Sequence, residues 1–144
     1  MAEQTFANHT KFVPAFHFFA IPVLVINFGW SLYRLRTLGF SFEGVFGVLL
    51  AAALVVVLFS ARIFPLAVQD RVIRIEERLR CERLLPADLK PRIGEFTTGQ
   101  LVALRFASDA ELPVLARKVL DEKVTERKAI KQLIKNWKPD YERA

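Results

Sequence analysis

Eighteen consecutive residues without a formal charge, GVFGVLLAAALVVVLFSA from Gly44 to Ala61, run on with no turn signal but Pro65 into RIFPLAVQDRVIRIEERLRCERLL. A helix needs about 20 predominantly apolar residues to cross the ~30 Å hydrocarbon core of a bilayer. The stretch from Gly44 to Leu85 therefore reads as one long helix, half in lipid and half in water. The rest of the chain has to be arranged around it.

Charge is divided at the same place. Residues 1–68 hold only Lys11, Arg34, Arg36, Arg62, Glu3 and Glu43, whereas residues 69–144 hold 17 basic and 13 acidic side chains. The expected fold is all-α: a two-helix transmembrane hairpin in 1–68, its second helix extended into the cytoplasm, then a small domain of short helices in 69–144. The first span is FVPAFHFFAIPVLVINFGWSLY, Phe12 to Tyr33, 22 residues without a formal charge if His17 is neutral. The two spans are placed at about 12–33 and 44–66. Pro14 suits a first helical turn, and Trp30 and Tyr33 suit an aromatic belt at the interface. Pro22 should remove one backbone hydrogen bond and bend the helix.

The link through Gly39 and Ser41 is too short for another element, so the second span returns antiparallel. Basic residues set the orientation. The link carries Arg34 and Arg36; the other side carries Lys11, Arg71, Arg74, Arg78, Arg80 and Arg83. Both termini are thus expected in the cytoplasm. MAEQTFANHTK lacks the basic region of a secretory signal, and no small-x-small cleavage site follows.

Past the second span, Val68, Val72, Ile75 and Leu79 fall at 4-3-4 spacing on one stripe. Asp70–Arg74, Glu76–Arg80 and Arg78–Glu82 are available as i,i+4 pairs. Pro86 should end this helix, with a turn or two of helix between Pro86 and Gly94. Two capping boxes then open helices, Thr97 with Gln100 and Ser108 with Glu111, and Pro113 sits in a tolerated first turn. Thr125 is a candidate cap for a last helix whose apolar face is Ile130, Leu133, Ile134 and Trp137, stopped by Pro139. Leu101, Leu104, Leu112, Leu115, Val119, Ile130 and Trp137 would make a small core. A domain of this size is marginal unless other surface is buried.

Within the spans the small and polar residues carry the information. His17, Ala20, Leu24, Asn27, Ser31 and Arg34 recur at 3-4-3-4-3 and share one face, which should point into a helix bundle because polar groups facing lipid cost several kcal/mol. Gly44, Gly47 and Ala51 form a small-residue stripe that permits close helix packing. The packing set is His17, Ala20, Asn27, Ser31, Gly44, Gly47 and Ala51. Arg62 is expected to snorkel to lipid headgroups, the sharper alternative being a ring of arginines lining an oligomeric opening. Continued through the membrane boundary, positions 44 to 79 keep an unbroken 3-4 alternation, a candidate assembly spine.

Signatures of catalysis are missing. There is no GxxxxGK[ST], GxGxxG or HExxH, and no Cys pair, since Cys81 is the single cysteine. No metal site, cofactor or self-contained enzyme is expected. The net charge of +6 is spread over a mixed-sign half, which argues against a nucleic-acid surface. Arg127, Lys128, Lys131, Lys135 and Lys138 make a basic face on the last helix, read as solvated, or as docking on an anionic inner leaflet.

The segments MAEQTFANHTKFVPAFHFF, DRVIRIEERLR, QLVALRFASDAELP and IKQLIKNWKPDY resemble a family of uncharacterised small two-span bacterial membrane proteins, a domain of unknown function. The resemblance covers nearly the whole chain. It implies a bacterial inner-membrane location and carries over no catalytic residues.

Taken together, the sequence predicts a non-enzymatic integral membrane protein that self-associates through its hairpin and cytoplasmic helices in a structural or scaffolding role. Its expected partners are membrane lipid and copies of itself. The alternatives are an accessory subunit of a larger membrane transporter or respiratory complex, with a protein partner, and an oligomeric pore or channel.

Overall fold

The computed structural model describes residue 6 and residues 13–140. Glu3, Lys11 and Phe12, named above, lie outside the described residues. The chain is helical, and among the described residues it contains no strand. A π-helical segment, Ala15–Ala20, leads into α1 (Ile21–Leu38) and α2 (Phe42–Leu84); a 3₁₀ turn (Lys90–Glu95) precedes α3 (Thr98–Leu104), α4 (Leu112–Asp121) and α5 (Arg127–Leu133). Two stretches, Ala15–Leu38 and Phe42–Leu84, are long and apolar enough to cross a membrane. Up to Pro65, α2 belongs with α1 to one compact unit; from Leu66 onward the chain, with Phe6, forms another.

In the first unit, Pro22 lies in the opening turn of α1, directly after the π segment. Its ring would clash with the carbonyl four residues back in a regular α-helix. The wider π turn relieves this, and Ile21 N–H reaches back five residues to the Phe16 carbonyl. Gly39, at φ 85°, ends α1 in a conformation that an L side chain rarely adopts. Ser41 Oγ then accepts the Gly44 N–H at 3.1 Å and caps α2.

Pro65 lies inside α2, with helix on both sides of it. The 3-4 run from Gly44 to Leu79 does not stay on one packed face: Ala51 is 2% exposed, whereas Val68, Val72, Ile75 and Leu79 are 48–61% exposed. Exposure changes within one step of the run, since Leu54 is already 40% exposed, and past Leu66 the domain packs on the other side of α2, where Ile73, Glu77, Arg80 and Cys81 are buried.

In the second unit the buried face of α2 carries Ile73, Glu77, Arg80 and Cys81, and Leu85 is buried directly after its end. Cys81 and Leu85 join Leu89, Ile93 and Phe96 from the following turns, Leu101 and Leu104 of α3, Leu112, Leu115 and Val119 of α4, and Ile130 of α5 in one core. Ion pairs fasten the 86–95 segment to α4, Arg117–Asp88 at 2.6 Å and Arg92–Asp121 at 2.7 Å. The Thr97–Gln100 capping box is complete at the start of α3. Gln100 also donates to the Val124 carbonyl at 2.9 Å, which holds the connection into α5.

Three local expectations are corrected. Ser108 Oγ accepts the Glu111 N–H at 3.3 Å, but α4 begins only at Leu112 and no box closes. The Glu111 carboxylate instead accepts the backbone N–H groups of Lys135 and Asn136 at 2.9 and 2.8 Å. Thr125 caps nothing: Glu126 holds the N-cap position of α5, with no side-chain cap bond. Helix α5 ends at Leu133, well short of Pro139, and Trp137 lies beyond it, where its ring stacks on Phe106 at 4.6 Å. Lys138 N–H to the Phe106 carbonyl at 2.7 Å and Ser108 N–H to the Asn136 carbonyl at 3.0 Å bind this terminal segment to the α3–α4 connection. Those bonds are what the C-terminal residues gain by leaving the helix.

Candidate functional site

The water-side part of α2 has two faces with different work to do. One is built into the domain around Arg80, whose side chain is 6% exposed. Its guanidinium donates to Glu77 Oε2 at 3.1 Å, to Asp109 Oδ1 at 2.9 Å and to the Ala107 carbonyl at 2.6 Å. A single side chain thus locks α2 to the connection between α3 and α4. This replaces the Glu76–Arg80 pair expected from i,i+4 spacing. Asp70 likewise pairs with Arg127 of α5, at 3.0 Å, in place of Arg74.

Electrostatics in this cluster pull in opposite directions. Burial pushes the Glu77 carboxyl above its ordinary range, although Arg80 draws it down. The hydrogen bond from Arg80 holds Asp109 below the ordinary carboxylate range. The consequences for stability have opposite signs. Asp109 contributes stability above its unfolded value, and that contribution is lost as pH falls through its folded one. Glu77, raised in the folded state, makes folding less favourable as pH climbs from the ordinary glutamate value through the raised one. Glu77→Gln keeps an acceptor for Arg80 and removes the titration. Urea midpoints measured between pH 4 and 7 should therefore decline with rising pH in the wild type more than in Glu77→Gln. Parallel profiles would contradict this role of Glu77.

The other face of α2 carries Val68, Val72, Ile75 and Leu79, pointing away from the core. Its neighbours are charged: Arg71, Arg78 and Arg83 and, between them, Glu76 and Glu82. Sequence periodicity finds this stripe, but it cannot say which side of the helix the domain occupies.

In the first unit the small and polar residues part company. Ala51 is buried, and a Cβ added at Gly44 would come within 3.1 Å of Leu35 Cδ1, a close approach of α2 to α1. Gly47 has nothing within 4 Å of such a Cβ. It borders a cleft of about 320 Å³ lined also by Asn27, Trp30, Ser31, Arg34 and Glu43. Ser31 Oγ donates to the Asn27 carbonyl of its own helix at 2.9 Å. His17 Nδ1 lies 2.9 Å from the Val13 carbonyl, also within its own turn, and Ala20 is half-buried. Arg62 is half-buried on α2.

The basic residues do not form one helical face. Arg127, Lys128 and Lys131 lie on α5, whereas Lys135 and Lys138 follow its end. Arg127 is drawn to Asp70, and its Nε lies 3.2 Å from a Cβ placed on Gly99. Lys131 Nζ sits 5.0 Å from the Phe106 ring centroid, and Lys138 approaches Asp109 at 3.9 Å. Among the described residues no group of three His, Cys, Asp or Glu side chains converges as a metal-ligand set.

These features define an all-α protein with two membrane-length apolar helices and a small helical domain built on the second of them. The chain belongs to a family of unknown function, DUF6526, whose model matches residues 1–144. Comparisons with curated proteins and with solved structures gave no match.

Proposed function

We propose that the protein is a non-enzymatic membrane-anchored scaffold that assembles with copies of itself. In this reading α1 and α2 form a transmembrane hairpin in a bacterial inner membrane, both termini are cytoplasmic, and the seam between copies is the outward stripe of α2. The apolar side chains of the two helices support the anchor. Phe18, Phe19, Ile26, Leu49, Val56 and Val57 are each at least half exposed, although the core helix of a soluble protein would bury most of its own. Contiguous apolar surface of that kind is solvated by lipid or by another protein.

The observation that carries self-association is the stripe Val68, Val72, Ile75 and Leu79, exposed on the side of α2 opposite the domain core. Its spacing places these residues at alternating d and a positions of a heptad. A second copy in parallel register fits the flanking charges. Arg71 falls at g and Glu76 at e, five residues on, so each Arg71 meets the partner copy's carboxylate at that position. Arg78 and Arg83 would meet similarly one heptad later, with Glu82 between them to offset the repulsion. A shared membrane orientation makes the parallel arrangement the natural one, and tethering in two dimensions raises the effective concentration. Burying one Val, Ile or Leu side chain stabilises by about 1.5–3 kcal/mol.

Gentle extraction of the full chain followed by native mass measurement tests the assignment. Homo-oligomers are expected, and Ile75→Asp should convert them to monomer. Strictly monomeric wild-type protein contradicts the proposal, as does a stable complex containing a different subunit.

A further inference from the structure

We infer that the cleft between the end of α1 and the start of α2 binds the phosphoethanolamine headgroup of a membrane phospholipid. The inference rests on the reading of α1 and α2 as membrane spans, and it concerns a site separate from the seam. The cleft, of about 320 Å³, has the size of a small-molecule pocket. It lies where the charge-free text stops, just after Tyr33 and just before Gly44. In a spanning helix pair that level is the headgroup layer. Trp30 lines the cleft and stacks on Tyr33 at 5.5 Å, the arrangement of an interfacial aromatic belt.

Its chemistry is bipolar. Arg34 from α1 and Glu43 from α2 line the same cavity, and the salt bridges among the described residues include neither of them. A guanidinium matches a phosphate with two parallel hydrogen bonds. A carboxylate matches a primary ammonium, whereas a quaternary ammonium is held by an aromatic cage, and this cleft has one tryptophan. Asn27 adds an amide that can donate to phosphate or ester oxygens. Gly47 leaves the wall open, since a Cβ there would meet no atom within 4 Å. One cation and one anion in a single cleft fit a zwitterionic headgroup better than an anionic one.

The test uses the full chain in detergent micelles with Trp137→Phe, which leaves Trp30 as the sole tryptophan of the two. Trp30 emission is titrated with short-chain phosphatidylethanolamine, short-chain phosphatidylglycerol and free O-phosphoethanolamine. A charge-assisted hydrogen bond of about 1.5–3 kcal/mol corresponds to roughly 10-fold or more in affinity. Phosphatidylethanolamine should therefore bind at least ~10-fold more tightly than phosphatidylglycerol. Glu43→Gln should bring the two lipids together, Arg34→Gln should weaken both, and Arg34→Lys and Glu43→Asp should recover part of the loss with unchanged far-UV dichroism. Equal affinity for the two lipids in the parent chain overturns the proposal, and so does a preference that survives Glu43→Gln. Free phosphoethanolamine binding as well as the lipid would assign the site to a soluble ligand and overturn it also. Flotation with vesicles separates the two levels: a chain that does not float contradicts the membrane reading, whereas one that floats without the preference contradicts only the headgroup site.

Discussion

Arg80→Ala is expected to destabilise the helical domain by about 3–5 kcal/mol, the usual loss when one partner of a buried ion pair is removed. The size follows from what the side chain leaves behind. Glu77 stays buried without its cation, the Ala107 carbonyl loses a 2.6 Å donor, and Asp109 loses the bond that anchors the α3–α4 connection. Small domains have only about 5–15 kcal/mol in total, so this variant should be close to unfolding under mild conditions.

Cys81 provides the readout. It is fully buried next to Arg80, and burial pushes its thiol up to about 11, so the folded domain protects it from thiol reagents. Labelling through domain opening should be faster in Arg80→Ala by a factor of about 100 or more, since each 1.4 kcal/mol is tenfold. The urea midpoint should fall in parallel. The double variant Glu77→Leu, Arg80→Met should recover much of the loss, because an apolar replacement of a buried pair removes the stranded charge along with its partner. A labelling rate in Arg80→Ala equal to that of the wild type would show that the cluster does not hold the domain.

Ile75→Asp should have the opposite profile, a large effect on assembly and a small one on the fold. Ile75 is 60% exposed, so the isolated domain loses little when it becomes polar. In a seam of parallel copies, each chain would lose about 1.5–3 kcal/mol of apolar burial and place like charges against one another. Association should weaken at least ~100-fold, with the urea midpoint of the domain shifted by less than about 0.5 kcal/mol equivalent, as for an ordinary surface substitution. Unaltered oligomer mass in Ile75→Asp would remove the stripe from the interface.

What the sequence made legible was local. The charge-free run to Ala61 and the absence of glycine after Gly47 announce the long α2, and the Thr97–Gln100 pair marks the start of α3 to the residue. Ser108 and Glu111 have the same spacing as that pair, yet Glu111 turns to the Lys135 and Asn136 amides, which are 24 and 25 residues away. Arg80 reaches Asp109 across 29 residues, and Trp137 leaves its helix phase for Phe106. Such partners are set by the packed core and not by spacing. The stripe on α2 shows the same division. Its periodicity is visible in the sequence, but the side of α2 that the domain covers is set by partners such as Ala107 and Asp109, which lie 27 and 29 residues from Arg80. The cleft beside Gly47 was hidden for a related reason: its two charges come from different helices, and small-residue spacing suggested contact where the structure has open space.

The most direct measurement is disulfide capture in native membranes, in a Cys81→Ser background so that no other thiol is present. A cysteine replacing Ile75 lies at the centre of the seam, and one replacing Arg74 lies beside it at an outer heptad position. Under mild oxidation Ile75→Cys should form a covalent dimer of the chain in high yield, and Arg74→Cys should not. Dimer formation by both to the same extent, or by neither, would contradict assembly through this face of α2.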